Sequence, residues 1–444
     1  MARIAFFGAG YAGLVSGACL AELGHTVVIR DVAPERIEQL TAGVVPFHEP
    51  GLEELIAANS GRLSFTLSME EAVDGSEFLF VCVGTPPTPS GDANLASVWS
   101  VIEDLPADID SPVLVMKSTV PVGTGEKVRA ALDARGLERI GYASCPEFLA
   151  EGTAVRDFME ADRVVVGSFD QQDGAAVAAL HDALDAEIVR TDVPSAEMVK
   201  LAANAYLATR ISFINEIANV CELVGADVED VARGMGLDRR IGTHYLRAGL
   251  GYGGSCFPKD ISFLKLLAGN SGYHFQLVTA VIEVNDLQMR RPVAKLQKHL
   301  GSLSGKRIAL LGLAFKANTD DMREAPSIVL AARLLAEGAE VVAWDPVADA
   351  RTVLHGVTFV DSVADGLSGA DAAVIVTEWP ELRDLPWAEL KITMQSPVVI
   401  DGRNHLDAAA MRAAGYVYEG MGRSASSFAT LPETPEPATT LSLD

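Results

Sequence analysis

The segment Gly251-Tyr252-Gly253-Gly254-Ser255-Cys256-Phe257-Pro258-Lys259-Asp260 sets a cysteine between a glycine loop and a helix start. Pro258 suits a first helical turn and Gly269 a C-terminal stop, so Cys256 stands just ahead of a helix N-terminus. That place stabilises a thiolate and offers backbone N–H groups to a developing oxyanion, the two requirements of covalent thiol catalysis. Asp260 follows about one turn along the same face. Taken alone, a single cysteine can equally be inert and buried; the flexible glycine loop and the helix start argue for chemistry. Lys200 and Asn204, four apart amid Leu201-Ala202-Ala203 and Ala205-Tyr206-Leu207, share a helix face among apolar neighbours. The alternative for Lys200 is a side chain snorkelling at a helix edge. Together the two segments offer a nucleophile, a cation, an amide and a carboxylate.

A second constellation lies at the N-terminus. Gly8-Ala9-Gly10-Tyr11-Ala12-Gly13 follows a strand and opens a helix, and Asp31 ends the next strand. Gly8 permits the tight turn, Gly10 lets backbone approach a pyrophosphate at the helix N-terminus, and Gly13 allows close helix–strand packing. Asp31 would accept from a ribose 2′-OH and repel a 2′-phosphate, which favours NAD over NADP, although Arg30 and Arg36 stand close by. A tight turn that binds nothing is the plainer alternative.

These groups need a scaffold. Up to about residue 190 short apolar runs (Arg3–Phe7, Thr26–Arg30, 77–83, 113–117 and 163–167) alternate with helical stretches, the rhythm of a parallel α/β sheet. One long apolar helix runs from Pro194 to about Val224 and is broken by Gly225. A second α/β rhythm, with strands at 307–312, Glu340–Trp344, 373–377 and Val398–Asp401, partly repeats the first. Ile4-Ala5-Phe6-Phe7-Gly8 matches Ile308-Ala309-Leu310-Leu311-Gly312, and each copy leads to an aspartate, Asp31 or Asp345. The fold class expected is α/β, with two Rossmann-like doubly wound parallel-sheet domains joined by a long central helix. The Ser-, Thr- and Pro-containing stretch 424–444 reads as a disordered tail.

Bulk properties narrow the classes. A chain of 444 residues exceeds one core, and 49% hydrophobic residues describe a packed globular protein. Lys and Arg number 35 against 60 Asp and Glu, a formal charge of −25 that disfavours nucleic acid and anionic membranes. No run approaches a membrane-spanning length and the first strand leaves no room for a signal peptide, so a cytoplasmic location is expected. Cys19, Cys82, Cys145, Cys221 and Cys256 are odd in number and widely spaced, which suggests neither a disulfide framework nor a metal site.

The motifs Val83-Gly84-Thr85-Pro86, Lys117-Ser118-Thr119-Val120-Pro121-Val122-Gly123-Thr124, Pro146-Glu147-Phe148-Leu149, Glu151-Gly152-Thr153-Ala154 and Phe315-Lys316 with Asp320-Asp321-Met322-Arg323-Glu324 occur in the order seen in one family. From Gly8 to about Arg403 the chain resembles the UDP-glucose/GDP-mannose dehydrogenase family, and the cysteine segment is most similar to its UDP-glucose 6-dehydrogenases. Departures are Cys145, where asparagine is frequent, Ala150, where a basic residue is common, and Leu250, where proline is common.

The resemblance implies a four-electron oxidation with two NAD: C6 of a nucleotide sugar, UDP-glucose first, becomes an aldehyde, is captured by Cys256 as a thiohemiacetal, and is oxidised to a thioester that hydrolyses to the uronic acid. Covalent capture keeps the aldehyde from escaping. Lys200, Asp260 and Asn204 would support the alkoxide and the water, Glu151 would be the general base for hydrolysis, and Thr85 would join the catalytic set. Gly8, Gly10, Tyr11, Gly13, Asp31, Thr85, Thr119 and Glu151 would hold NAD. Glu147, Phe148, Leu149, Lys200, Asn204, Gly253, Phe257, Lys316 and Arg403 would contact the sugar nucleotide, with Arg240 reaching in from the neighbouring subunit of a homodimer. The implied divisions are a NAD-binding domain at 1–193, a helical, dimerising and catalytic domain at 194–300, and a nucleotide-sugar domain at 301–423. Rival readings are the same chemistry on dTDP-glucose or GDP-mannose, a non-catalytic sensor of NAD or nucleotide sugar, and a two-electron alcohol dehydrogenase in which Cys256 only packs.

Overall fold

The computed structural model describes residues 1–423, so the expected tail at 424–444 lies outside the described residues. The first sheet has eight strands: β1 (Arg3–Phe7), β2 (Thr26–Arg30), β3 (Leu63–Thr66), β4 (Phe78–Val81), β5 (Val113–Met116), β6 (Gly141–Ser144), β7 (Arg163–Ser168) and β8 (Glu187–Thr191). They pair in the order β3-β2-β1-β4-β5-β6-β7-β8. The first six are parallel in the doubly wound order, with β4 and β5 buried along their whole length because helices cover both faces. β7 departs from the expected parallel rhythm and runs antiparallel to β6. After β6 the chain spends residues 145–153 at the carboxyl edge of the sheet, and the short helix Ala154–Met159 does not carry it back across, so β7 re-enters from that same edge.

The second sheet is wholly parallel: β9 (Arg307–Leu311), β10 (Glu340–Trp344), β11 (Val357–Phe359), β12 (Ala372–Ile375), β13 (Val398–Asp401) and β14 (Val417–Gly420), in the order β11-β10-β9-β12-β13-β14. The internal repeat is visible in its turns. Gly8 and Gly312 both take positive φ, 105° and 90°. Asp31 accepts from Ala9 N at 2.7 Å, and Asp345 from Leu313 N at 2.6 Å. The copies then diverge, because the first turn opens at once into the helix Tyr11–Glu22, whereas the second passes through residues 313–325 before its helix, Pro326–Ala336. Asp345 also receives Ala314 N at 3.1 Å and the Trp379 indole N–H at 3.0 Å.

Between the sheets runs the 32-residue helix Val193–Val224. Asp192 caps its start by accepting from Ser195 N at 2.7 Å, Pro194 sits in its first turn, and Gly225 ends it in the left-handed region. Leu201, Ala205 and Ala208 on this helix pack against Ile261, Phe263 and Leu264 of the helix Phe257–Asn270, which brings the cysteine segment onto the lysine helix. That second helix passes through Gly269, the expected stop. Glu197, buried one turn before Lys200, accepts from Gly123 N at 2.7 Å and Gly125 N at 2.8 Å, tying the central helix to the loop that carries Thr119.

The N-terminal glycines meet the demands made of them. A Cβ on Gly13 would lie 2.0 Å from the Gly8 carbonyl oxygen, whereas one on Gly10 would meet nothing within 4 Å. Replacing Gly13 by Ala therefore forces backbone apart, and urea unfolding should show a loss of about 3 kcal/mol or more, the upper end for overpacking because no flexible side chain can yield. Gly10→Ala should leave that midpoint nearly unchanged and weaken dinucleotide binding in a titration.

Candidate active site

Four elements meet at the junction of the two sheets. The loop after β6 supplies Glu147, Phe148, Leu149 and Glu151; the central helix supplies Lys200 and Asn204; the segment before Phe257–Asn270 supplies Ser255 and Cys256; and the connection after β9 supplies Lys316, Asp321 and Arg323. Lys200 is 3% exposed and pairs with Glu147 at 2.9 Å, while the other Glu147 oxygen accepts from Leu149 N at 2.6 Å. Burial opposes the charge of Lys200, but Glu147, Cys256 and Asp260 together hold it above the ordinary ammonium range. Asn204 donates to Asp260 at 2.6 Å, and the fully buried Asp260 also accepts from Lys259.

Cys256 occupies the N-cap position of its helix, and Asp260 N donates back to its carbonyl at 2.9 Å. The thiolate expected from that position is overturned. Burial first and Glu147 second push the thiol up to about 11, beyond what Lys200 recovers. The glycine loop is also packed rather than flexible. A Cβ on Gly253 would fall 2.2 Å from Glu324 O, one on Gly251 2.4 Å from Asn285 Oδ1, and one on Gly254 2.8 Å from the Phe315 ring. These glycines let the cysteine segment lie directly on the connection from the second sheet.

Glu151 is 7% exposed and accepts from Ser255 Oγ at 3.0 Å, from Thr319 Oγ1 at 3.3 Å and from Arg323 at 3.4 Å. Burial and the neighbouring Asp321 raise its carboxyl to about 7, against the pull of Arg323. Such a carboxylate can exchange a proton near neutrality. Lys316 shares a cavity of 310 Å³ with Glu151, Arg247, Glu378, Arg383 and His405, and burial lowers its ammonium. Arg403 is committed to structure on three sides, donating to the carbonyls of Val376, Phe315 and Gly251 at 2.7, 2.7 and 3.2 Å. It still lines a second cavity of 170 Å³ beside Tyr245 and Arg247. Phe257 stacks edge-on with Tyr252 at 5.8 Å. Arg240 stands apart, 86% exposed and paired with Asp238 at 2.7 Å on its own chain. Among the described residues the four non-glycines with positive φ, Tyr245, Asn318, Glu324 and Asn404, lie in segments at this junction, where strain gathers at functional sites.

At the N-terminal turn, the helix Tyr11–Glu22 begins without a side-chain cap and the space above Gly10 is open, which fits a pyrophosphate on the free N–H groups. Asp31 uses Ala9 N at 2.7 Å and Ala33 N at 3.0 Å and lies 3.4 Å from Arg36, yet a carboxylate retains lone pairs for a ribose hydroxyl. Arg30 is turned away, onto Leu67 O at 3.2 Å and Asp104 at 3.7 Å. Thr85 Oγ1 donates to Thr119 O at 2.8 Å, which fixes the two threonines to one another. Tyr11 donates to Glu49, a buried carboxylate that also accepts from Gly152 N at 2.6 Å and Ala154 N at 2.7 Å. Glu49 thus joins the dinucleotide turn to the Glu151 loop. Sequence reading missed Glu49, Ser255 and the Asp321–Arg323 pair: an isolated acid in a loop carries no spacing, and the other three were visible only as members of motifs.

Comparison with known proteins agrees with this architecture. Residues 2–185 match the model of the UDP-glucose/GDP-mannose dehydrogenase family NAD binding domain, 194–287 the central domain and 309–408 the UDP binding domain. The chain is 44% identical over 433 residues to the UDP-glucose 6-dehydrogenase TuaD of Bacillus subtilis, covering 96% of this chain and 94% of that protein. Its fold superposes on a UDP-glucose dehydrogenase from Pyrobaculum islandicum with a TM-score of 0.86 and 38% identity, over 96% and 98% of the two chains. A UDP-D-ManNAc dehydrogenase from Pyrococcus horikoshii gives 0.84 and 28%, over 95% and 99%. Matches to all three parts in one order, at this identity and over almost the whole length, place the chain in the UDP-glucose/GDP-mannose dehydrogenase family.

Proposed function

We propose that the chain oxidises the C6 alcohol of UDP-glucose to the carboxylate of UDP-glucuronate in two successive hydride removals, through a thiohemiacetal and a thioester on Cys256. The observation that carries this reading is the convergence of Cys256 with Lys200–Glu147, Asn204–Asp260 and Glu151 in one cleft. UDP-glucose is favoured over other sugars because the relatives named for it stand at 38% to 44% identity and the UDP-D-ManNAc relative at 28%. The turn at Gly8, Gly10, Tyr11 and Gly13, with Asp31, Thr85, Thr119 and Glu151, would hold NAD, whose nicotinamide accepts the hydrides.

In this mechanism Lys200, kept charged by Glu147, steadies negative charge on the C6 oxygen, and the Asn204–Asp260 pair orients the attacking water. Glu151 takes a proton from that water during thioester hydrolysis. Lys316 and the Arg403-lined cavity face the nucleotide, and Glu147, Phe148, Leu149, Gly253 and Phe257 wall the sugar. The divisions 1–193, 194–300 and 301–423 are proposed as the dinucleotide, catalytic and sugar-nucleotide units. All five cysteines are free and four are buried, which suits a reducing compartment, proposed to be the cytoplasm. Among the described residues no helix is long and apolar enough to cross a membrane.

The central helix also carries exposed Tyr206, Phe213 and Val220 at seven-residue spacing, 62%, 46% and 52% exposed. Such a stripe on one helix face fits a second copy of the chain, and a homodimer would let Arg240 leave Asp238 for the partner's cleft.

Three measurements test the reading. With limiting UDP-glucose and excess NAD, two NADH per sugar are expected at completion; Cys256→Ser should abolish acid formation, whereas two NADH from that variant would exclude the covalent route. The single-turnover hydrolysis rate should rise with pH and level off above about 7, because Glu151 must be ionised to act as base and its burial and Asp321 place its titration there. Asp321→Asn removes the second of those causes and should move the midpoint toward lower pH. Phe213→Glu should place a charge in the apolar stripe and weaken self-association by roughly a hundredfold or more, read by sedimentation.

A further inference from the structure

The cleft contains a hydroxyl to which the covalent mechanism above gives no task. Ser255 Oγ lies 3.0 Å from Glu151 Oε1 and 3.5 Å from Cys256 Sγ. A serine hydroxyl owns one hydrogen and two lone pairs. An ionised Glu151 carries no hydrogen, so the contact to Glu151 consumes the Ser255 proton. The serine oxygen is then left to accept from the Cys256 S–H. The chain of donors therefore runs in one direction, from sulfur to serine to carboxylate.

We propose that Ser255 is a catalytic residue that passes the Cys256 proton to Glu151 as the thiol adds to the C6 aldehyde. The step balances as follows. The S–H bond breaks and an S–C6 bond forms from the sulfur electron pair; the C6=O π pair moves onto oxygen, which becomes an alkoxide beside the Lys200 ammonium. The thiol proton goes to Ser255 Oγ while the Ser255 proton goes to Glu151 Oε1, so the serine is regenerated and Glu151 ends as the acid. Nothing else is consumed, and Glu151 returns its proton to solvent through the 310 Å³ cavity that it lines.

The surroundings explain why a relay is needed. Burial first, then Glu147 from the loop after β6 and Asp260 from the cysteine helix, disfavour a resting thiolate, and Lys200 only partly offsets them. Lys259 is engaged with Asp260. On the far side of the relay, Glu151 faces Asp321 and Arg323 from the second-sheet connection, and Lys316 stands nearby. Asp321 is itself pinned by Arg323 at 2.7 Å. A thiol held protonated and a carboxylate able to take a proton near neutrality are thus joined by one hydroxyl. Deprotonation is delayed until an electrophile is present, which protects the sulfur between turnovers.

This inference rests on the proposed Cys256 chemistry, and its test separates the two. The probe is iodoacetamide on the intact protein at pH 7, with Cys256 alkylation followed by mass spectrometry. Ser255→Ala and Glu151→Gln should each slow alkylation about a hundredfold or more, the lower end for assisted proton transfer, and the double variant should be no slower than either single one. Ser255→Thr retains the hydroxyl and should restore the rate. Started from the C6 aldehyde, Ser255→Ala should lose acid formation at pH 7 and regain it as pH rises, with UDP-glucose binding unchanged. Alkylation within twofold of the parent in Ser255→Ala, or losses that add in the double variant, would overturn the relay even if two NADH per sugar are still counted. Should Ser255→Ala fail to fold, Glu151→Gln alone decides, because an unchanged alkylation rate there leaves the thiol proton with no acceptor on this path.

Discussion

The buried pair of Lys200 and Glu147 is the constraint on which the rest of the cleft depends. Removing two charges from water costs several kcal/mol per ion unless geometry and further hydrogen bonds recover it. Here Lys200 holds one Glu147 oxygen at 2.9 Å, and Leu149 N holds the other at 2.6 Å. The pair can only exist if the loop after β6 stays against the central helix. That requirement fixes Phe148, stacked under the Arg163 guanidinium at 3.8 Å, and starts the path that leads on to Glu151. Burial first, and the Glu147 charge after it, also disfavour a negative charge on Cys256, against the pull of Lys200, so the carboxylate that secures the lysine helps to keep the neighbouring thiol protonated.

Around this pair the molecule is assembled from contacts between distant segments. Glu197 binds the Thr119 loop to the central helix, Glu49 binds the Tyr11 turn to the Glu151 loop, and the glycines at 251, 253 and 254 seat the cysteine segment on Asn285, Glu324 and Phe315. Each junction is made by a buried acceptor shared among backbone donors, or by a missing side chain. Rigid positioning of this kind is what a covalent intermediate requires, because each bond-making step must find its partners already in place.

Much of the architecture was legible in the sequence, for reasons that can be named. Strands β1, β4 and β5 are continuous apolar runs because helices cover both faces, and the central helix announces itself through Pro194, Gly225 and its uninterrupted apolar length. Strands β3, β6, β8, β11 and β14 were not read: four lie at sheet edges, where exposed and polar residues enter, and the interior β6, Gly141-Tyr142-Ala143-Ser144, is too short and too small in its side chains to form an apolar run. The direction of β7 depends on where the β6–β7 connection lies in space, which no local pattern encodes. Within the cleft, helical spacing paired Lys200 with Asn204 and Cys256 with Asp260, and the family resemblance is what set the two pairs in one site. The protonation of Cys256 was misjudged because a helix start is a local feature, whereas burial is set by the whole fold and the Glu147 charge comes from a segment distant in sequence. Glu49 has the same origin: its importance lies wholly in what folds against it.

The divergence of the two sheet turns has a bearing on timing. In the second sheet Asp345 already holds Leu313 N, Ala314 N and the Trp379 indole, and the helix that would face a phosphate begins only at Pro326. Among the described residues one turn, at Gly8 to Gly13, thus keeps the form suited to a dinucleotide, although the proposed reaction draws on two. Under that proposal the molecule would work serially, emptying and refilling a single dock while the half-finished sugar waits. The dwell of that sugar would then follow the exchange of its companion, a residence that a covalent tether can guarantee and a loose aldehyde cannot.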